Sequence, residues 1–169
     1  MFWYSIESSQ SLPISSTQAW DFLCDARNLE FMTPKKMGLK ILSEKTTPLY
    51  LGKILYYSVR PLPFYKALWI SEISSYQHGV RFSDRQLQGP YAAWHHEHEV
   101  IEIDSQRCTV IDRIFFKMPF GFLGGLLFHL VVKKALKETF TYRHAQLESC
   151  FPSNEKLPYS FTLKRIKAI

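Results

Sequence analysis

The chain has 169 residues, the length of one ordinary domain, and 46% of them are hydrophobic. A chain of this length folds around a single core without needing a disulfide or a metal. Charged residues make up only 21% of the chain, which excludes a disordered protein and a highly charged helical repeat. The net charge of +6 is spread along the sequence, so no nucleic-acid partner is predicted.

The three cysteines are far apart and include no C-x-x-C pair: Cys24, Cys108 and Cys150. This pattern indicates neither a disulfide framework nor a cysteine zinc site, so we expect a reducing, cytoplasmic setting. The first seven residues lack the basic stretch of a signal peptide and include Glu7. Residues 120–132 form the most apolar run but are too few to cross a bilayer, so we expect no membrane span.

The first elements in chain order are a strand and two short helices. Residues 3–12 alternate loosely and stop at Pro13, which predicts a strand. Ser15 or Ser16, with Gln18 completing a capping box, predicts the start of a short helix. Residues 25–32 favour a second brief helix, which ends before Pro34 because the residue preceding a proline avoids the helical region.

Six further runs are rich in β-branched and aromatic residues and are separated by glycine, proline and polar clusters. They predict strands at about residues 39–44, 53–60, 65–74, 80–87, 91–103 and 109–117. No helical pattern interrupts these runs. Their connections are therefore hairpins, and the sheet is antiparallel.

After Pro119 the apolar residues recur at helical spacing: Phe128, Val132, Leu136, Phe140 and Leu147, with Lys133, Lys137 and Arg143 between them. This pattern predicts one long amphipathic helix. We predict one domain over residues 1–150, followed by residues 151–169 as a tail or an added edge strand. Only the long helix can cover the apolar face of seven strands, so the sheet must curl around it and can leave a cavity.

Three segments carry a family resemblance. They read Trp20-x-Phe22-Leu23-x-Asp25-x-Arg27-Asn28-Leu29 with Thr33-Pro34; Phe82-x-Asp84-x-Gln86-x-x-Gly89-Pro90-Tyr91-x-x-Trp94-x-His96-x-His98; and Asp112-Arg113 with Pro119-Phe120-Gly121-x-x-Gly124. Together they resemble the SRPBCC superfamily of START-type lipid-binding domains, birch-pollen-allergen-like proteins and polyketide cyclases, and in particular its bacterial ligand-binding branch. The resemblance spans residues 2–147. It implies an α+β helix-grip fold with an internal ligand cavity, but it implies no catalytic mechanism.

Residues 94–100 hold the most informative polar pattern. In a strand, alternate side chains share a face, so Trp94, His96 and His98 point inward together. The same parity places Asp84 and Gln86 on the inner face of the preceding strand, and Asp112 and Phe116 on that of the following strand. Short hairpins set Asp84 opposite His96 and Asp112 opposite His98, where each imidazole supplies the partner that a buried carboxylate needs.

Three roles are open for this cluster. In the first, the acids and histidines satisfy one another and only fix the strand register. In the second they bind a ligand, with a site formed by Asp84, Gln86, Trp94, His96, His98, Asp112, Trp69 and Phe116. In the third, the two histidines bind zinc with an acidic third ligand. Two histidines without a cysteine or an H-E-x-x-H motif are a weak signal, so neither a metal nor another cofactor is predicted.

The apolar run at residues 120–132 has two interpretations. We favour a buried helix start, in which glycines allow close packing. The alternative is a partly exposed lip for lipid entry, assisted by Lys133, Lys134 and Lys137 during transient contact with an anionic membrane surface.

The favoured function is a binding module for a small hydrophobic molecule with one polar group. A cyclase- or dehydratase-like enzyme is the second hypothesis, in which the histidines and aspartates act as general base and orienting acid on a polyketide-type substrate. The third hypothesis is an interaction domain whose cavity is filled by side chains. The pattern does not predict an oligomeric state.

Overall fold

One curved antiparallel sheet forms the body of the computed structural model, which describes residues 2–44, 48–62 and 65–166. Within these ranges the sheet has eight strands in the order β2-β3-β4-β5-β6-β7-β1-β8. Their bounds are β1 Trp3–Leu12, β2 Lys40–Ile41, β3 Ile54–Leu62, β4 Tyr65–Gln77, β5 Arg81–Gln88, β6 Ala93–Asp104, β7 Arg107–Lys117 and β8 Tyr159–Ile166. The sequence predicted seven strands. The eighth lies in the segment after the long helix and pairs with β1.

Two short helices follow β1. Helix α1 spans Ser16–Cys24, and Ser15 and Gln18 form the predicted capping box at its start. Helix α2 spans Ala26–Phe31, and the Asp25 side chain accepts a hydrogen bond from the backbone of Arg27. A 3₁₀ turn at Lys35–Met37 then leads into the short strand β2. Ala19, Trp20 and Met32 of this segment pack into one core cluster with residues of the sheet.

The long C-terminal helix is continuous but not uniform. It consists of α3 at Gly121–Leu127, a π turn at Phe128–Val132 and α4 at Lys133–Cys150. All five residues predicted to form its apolar stripe are buried, from Phe128 to Leu147. Arg143 is buried as well, at 9% exposure, because steps of four, three and four residues place it in line with Leu136, Phe140 and Leu147.

The favoured interpretation of residues 120–132 is wrong for most of the run. Only Gly124, Phe128 and Val132 are buried there, whereas Phe122 is 82% exposed. The helix meets the rest of the fold along one side, since Gly124 lies against Pro119 and the ring of Phe128 stacks on Tyr4. Leu127 is partly buried against the same core, and most of the other apolar side chains point away from the sheet. The exposed apolar face consists of Phe120, Phe122, Leu123, Leu126 and Leu130.

The strand register confirms the predicted cross-strand pairs. Asp84 on β5 lies opposite His96 on β6, and His98 lies opposite Asp112 on β7. Arg113, on the other face of β7, forms ion pairs with Glu97 and Glu99, as expected for the outer surface. None of the helices in the described part of the chain combines the length and the apolar character needed to cross a bilayer.

Candidate ligand-binding site

A cavity of about 200 Å³ lies between the concave face of the sheet, the helix α4 and the α1–α2 segment. Most of its wall is apolar. Representative side chains are Leu29, Met32, Leu55, Val59, Leu136 and Phe140. Because side chains leave this space open, the cavity argues against the hypothesis of an interaction domain with a filled interior.

Four aromatic residues form one side of the wall. Trp69 lies with its ring centroid 5.3 Å from Trp94, 5.6 Å from Tyr91 and 5.9 Å from Tyr57. Burial raises the pKa of Tyr57 and of Tyr91 well above the usual tyrosine value, and the nearby Asp84 adds to the effect on Tyr57. The phenols therefore stay neutral, and the wall presents flat apolar surfaces with few polar atoms.

The polar end of the cavity is built from two imidazoles between two carboxylates. Asp112 Oδ1 accepts a hydrogen bond of 3.0 Å from His96 Nε2. His98 Nδ1 lies 2.8 Å from the same oxygen, although its ring is not aligned for a regular hydrogen bond. On the other side, Asp84 Oδ2 lies 3.8 Å from His96 Nδ1 and 3.7 Å from His98 Nε2.

Two residues that the sequence analysis did not assign to the site hold these carboxylates in place. Arg143 Nη2 on α4 lies 3.2 Å from Asp112 Oδ1, which gives the buried acid a charged partner. The Ser71 hydroxyl donates a 3.0 Å hydrogen bond to Asp84 Oδ1 and accepts one of 3.0 Å from Trp69 Nε1. Ser71 shares strand parity with Trp69, and position 143 continues the apolar stripe of the helix. Both signals were present in the sequence.

The charges in this cluster depend on one another. Burial alone would raise the pKa of Asp112, but Arg143 and the two imidazoles hold it well below its usual range. Asp84 also has a lowered pKa, because His98, His96 and Ser71 outweigh the effect of its burial. Burial, together with the neighbouring His98, lowers the pKa of His96 to about 4. Burial would also lower the pKa of His98, but its contacts with Asp112 and Asp84 raise it instead.

The structure places five of the eight predicted site residues in the cavity wall: Trp69, Asp84, Trp94, His96 and His98. The other three lie outside the wall. The Gln86 side chain donates a 2.8 Å hydrogen bond to the Tyr91 carbonyl and so supports the β5–β6 turn. Asp112 stands behind the imidazoles. Phe116 is fully buried between Tyr4 and Trp94, so it belongs to the packed core.

Comparisons with known proteins agree with the predicted fold. A family model described as "Domain of unknown function (DUF8410)" matches residues 28–151. No curated protein sequence matches the chain at a significant level.

Three solved structures illustrate the similarity. A START superfamily protein from Mycobacterium smegmatis has a TM-score of 0.66 at 13% identity, covering 88% of this chain and 97% of that one. The Zhui aromatase/cyclase from Streptomyces sp. R1128 has a TM-score of 0.63 at 15% identity, covering 86% and 94%. A Thalictrum flavum norcoclaurine synthase mutant in complex with a transition state analogue has a TM-score of 0.62 at 12% identity, covering 89% and 98%. These similarities establish the SRPBCC-type helix-grip fold.

Proposed function

Because the chain belongs to the family described as Domain of unknown function (DUF8410) and has an SRPBCC-type fold, we propose that it binds a small hydrophobic molecule with one polar group. The observation that carries this proposal is an open apolar cavity that ends in a buried polar cluster. The apolar part of the ligand contacts the aromatic and aliphatic wall. Its polar group meets Asp84, His96 and His98.

The apolar wall favours an organic ligand over water. Water in such a space finds few hydrogen-bond partners, whereas an apolar molecule removes its own surface from solvent on entry. Apolar cavities of about 150 Å³ accept a molecule of the size of benzene. The volume of about 200 Å³ therefore suits a ligand with one or two rings or a short alkyl chain.

The polar cluster supplies orientation. Asp84 Oδ2 lies 3.8 Å from His96 Nδ1 and 3.7 Å from His98 Nε2, distances too long for hydrogen bonds between them. These atoms line the cavity and remain able to bond to a hydroxyl, carbonyl or carboxylate group. The complex of norcoclaurine synthase with a transition state analogue supports the idea that this fold accommodates small molecules.

Filling the cavity tests this proposal. Thr139 on α4 lines the cavity and Thr141 is exposed on the same helix, so the two positions form a matched pair. We expect the parent protein to bind 2-naphthol, which has two fused rings and one hydroxyl, and to show quenching of Trp69 and Trp94 fluorescence. The variant Thr139→Phe should bind it at least about tenfold more weakly, because the new ring occupies the ligand's space.

The control variant Thr141→Phe should bind 2-naphthol with the affinity of the parent protein. Circular dichroism establishes that both variants are folded. Decanoate serves as a second probe, with an alkyl chain in place of the rings. Equal affinities of the two variants for 2-naphthol would contradict the proposal. So would a parent protein that shows no saturable binding of either probe.

We further propose that the exposed apolar face contacts an anionic membrane surface. Phe122, Leu126 and Leu130 recur at intervals of four residues, and the next position in this series is Lys134. Lys133 and Lys137 are also exposed on the following turns. Apolar side chains with lysines beside them match the interface of a bilayer that contains acidic lipids, where apolar burial and charge attraction act together.

Vesicle binding measures this contact. We expect the protein to sediment with vesicles of phosphatidylcholine and phosphatidylglycerol, and less so in high salt, since salt screens the lysines. The double variant Phe122→Ser, Leu126→Ser should bind at least about tenfold more weakly because it removes two apolar side chains from the contact. A control double variant, Leu87→Ser, Ile103→Ser, changes two exposed apolar side chains on the sheet and should bind normally.

Equal binding by the two double variants, or none by the parent, would contradict the membrane contact. A concentration-dependent dimer that only Phe122→Ser, Leu126→Ser abolishes would instead assign the face to a second copy of the chain.

A further inference from the structure

The polar end of the cavity contains three potential metal ligands. Asp84, His96 and His98 each offer one ligand atom, and these atoms all lie within 4.8 Å of one another. We propose that these three side chains bind a divalent transition-metal ion such as zinc. This inference rests on the proposed function only for the role of the metal. In that role, the bound ion would coordinate the polar group of the cavity ligand.

The spacing of the ligand atoms fits a cation. Asp84 Oδ2 lies 3.8 Å from His96 Nδ1 and 3.7 Å from His98 Nε2. In a tetrahedral zinc site, bonds of about 2.0–2.2 Å place neighbouring ligand atoms about 3.4 Å apart. The Asp84 oxygen is therefore within a few tenths of an ångström of the tetrahedral spacing from each histidine, and the ligand atoms of the two histidines lie within 4.8 Å of each other. Direct hydrogen bonds between Asp84 and the two imidazoles would require shorter distances than these.

The groups behind the ligands orient them toward a common point. Asp112 Oδ1 lies 3.0 Å from His96 Nε2 and 2.8 Å from His98 Nδ1, so it contacts the outer nitrogen of each ring. The hydrogen bond from His96 Nε2 to Asp112 leaves a lone pair on the inner nitrogen of His96, directed toward Asp84. A proton on His98 Nδ1 would produce the same arrangement in the second ring. A carboxylate behind a ligating histidine is the usual arrangement in metal sites, because it fixes the tautomer and strengthens the ligand.

The two carboxylates are themselves held from outside the cluster. The Ser71 hydroxyl bonds to Asp84 Oδ1, which leaves Oδ2 for the metal, and Arg143 pairs with Asp112. All three metal ligands line the cavity, so the remaining coordination position faces the ligand space. Sites with three protein ligands and an open position bind water or substrate there.

The charge of the cluster indicates the class of group that would complete the site. Asp84 and Asp112 contribute two negative charges and Arg143 one positive charge. A divalent ion with two neutral imidazoles leaves one positive charge in excess. A carboxylate, an enolate or a hydroxide at the open position would balance it, and this favours an anionic oxygen on the cavity ligand. A proton on His98 would balance the charge of the same cluster without a metal. Metal titration distinguishes the protonated cluster from the metal-bound one.

Metal titration of the stripped protein tests the site. After dialysis against EDTA and then metal-free buffer, Co²⁺ is added as a spectroscopic probe and Zn²⁺ in competition with it. We expect one equivalent of Co²⁺ to bind with visible absorption bands of a low-coordinate site, and Zn²⁺ to displace it. His96→Ala and Asp84→Asn should each weaken binding at least about 100-fold because a direct ligand is lost. His95→Ala, which alters an exposed side chain on the opposite face, should bind like the parent.

Asp112→Asn provides a second readout. It leaves the three ligands in place, so we expect one equivalent of metal still to bind, with an affinity about 10–100-fold lower. If His96→Ala does not fold, the same loss of metal affinity is measured in His98→Gln and Asp84→Asn. Metal uptake that is absent in the parent, or unchanged in Asp84→Asn and the folded histidine variants, would overturn the proposal.

The two proposals fail separately. Metal-free protein that binds 2-naphthol but takes up no Co²⁺ or Zn²⁺ would refute the metal and leave the ligand cavity standing. Protein that binds the metal but neither 2-naphthol nor decanoate would refute the proposed ligand binding and leave the metal site standing.

Discussion

The variant Asp112→Ala is expected to lose about 3–5 kcal/mol of the free energy of unfolding, as occurs when one partner of a buried ion pair is removed. Asp112 is only 5% exposed and is the charged partner of Arg143, which is also buried. Without this carboxylate, the guanidinium and the two imidazoles remain in a low-dielectric interior with no acid behind them. Urea denaturation followed by circular dichroism measures the loss.

Two further variants test the explanation. Asp104→Ala removes an acid that pairs with Arg107 on the surface, and it should change stability by less than about 1 kcal/mol. In the double variant Asp112→Leu, Arg143→Met both charges are absent, so much of the lost stability should return. A loss below about 1 kcal/mol in Asp112→Ala would show that this side chain does not neutralise the interior.

Gly124→Ala and Gly125→Ala should have opposite effects on stability. A methyl group at Gly124 would run directly into the carbonyl oxygen of Pro119, so the start of α3 would have to shift. Overpacking of this kind costs about 1–3 kcal/mol. At Gly125 the new carbon would lie 3.9 Å from Phe2 Cδ2, an ordinary contact. There alanine should stabilise the protein by up to about 1 kcal/mol, because it is a better helix former than glycine.

Thermal unfolding of the two variants at equal concentration measures the contrast, which amounts to about 1–4 kcal/mol between neighbouring positions. The parent protein serves as the common reference. Similar melting temperatures for the two variants would mean that α3 does not pack against Pro119 as described.

The sheet and its register could be predicted because they follow from local rules. The period of two assigns each strand residue to a face, and short antiparallel hairpins leave little freedom in pairing. For this reason the pairs Asp84–His96 and His98–Asp112 could be derived before any coordinates were known. The long helix followed equally from the spacing of Phe128, Val132, Leu136 and Phe140.

Arg143 illustrates what local rules miss. A basic residue on a helix is usually solvated, so the place of Arg143 in the apolar stripe was not enough to predict its burial. Its burial depends on Asp112, which lies on a strand far away in sequence and turns toward α4. The same limit applied to the metal hypothesis. Two histidines on one strand are a weak signal, and only the interatomic distances show that each imidazole lies between both acids instead of pairing with one of them.

The apolar run at residues 120–132 shows a different limit. Hydrophobicity predicts that a segment prefers apolar surroundings, but it does not establish that the fold provides them. Here the sheet covers Phe128 and Val132 and leaves Phe122 and Leu126 exposed. The sequence was compatible with a buried helix start and with a partly exposed one. In the structure most apolar side chains of this helix start are exposed.

The π turn at Phe128–Val132 determines which side chains of the long helix face the sheet. Each residue of an α-helix rotates the chain by about 100°, so steps of four residues drift by about 40° per step. The buried series Gly124, Phe128, Val132, Leu136 and Phe140 would leave the sheet if the whole helix were regular, and the wider turn absorbs part of that drift. The turn therefore keeps the buried residues of α3 and of α4 on the same side of the long helix. A regular helix would instead rotate either the buried α3 residues or the α4 side chains that enclose the ligand space away from the sheet.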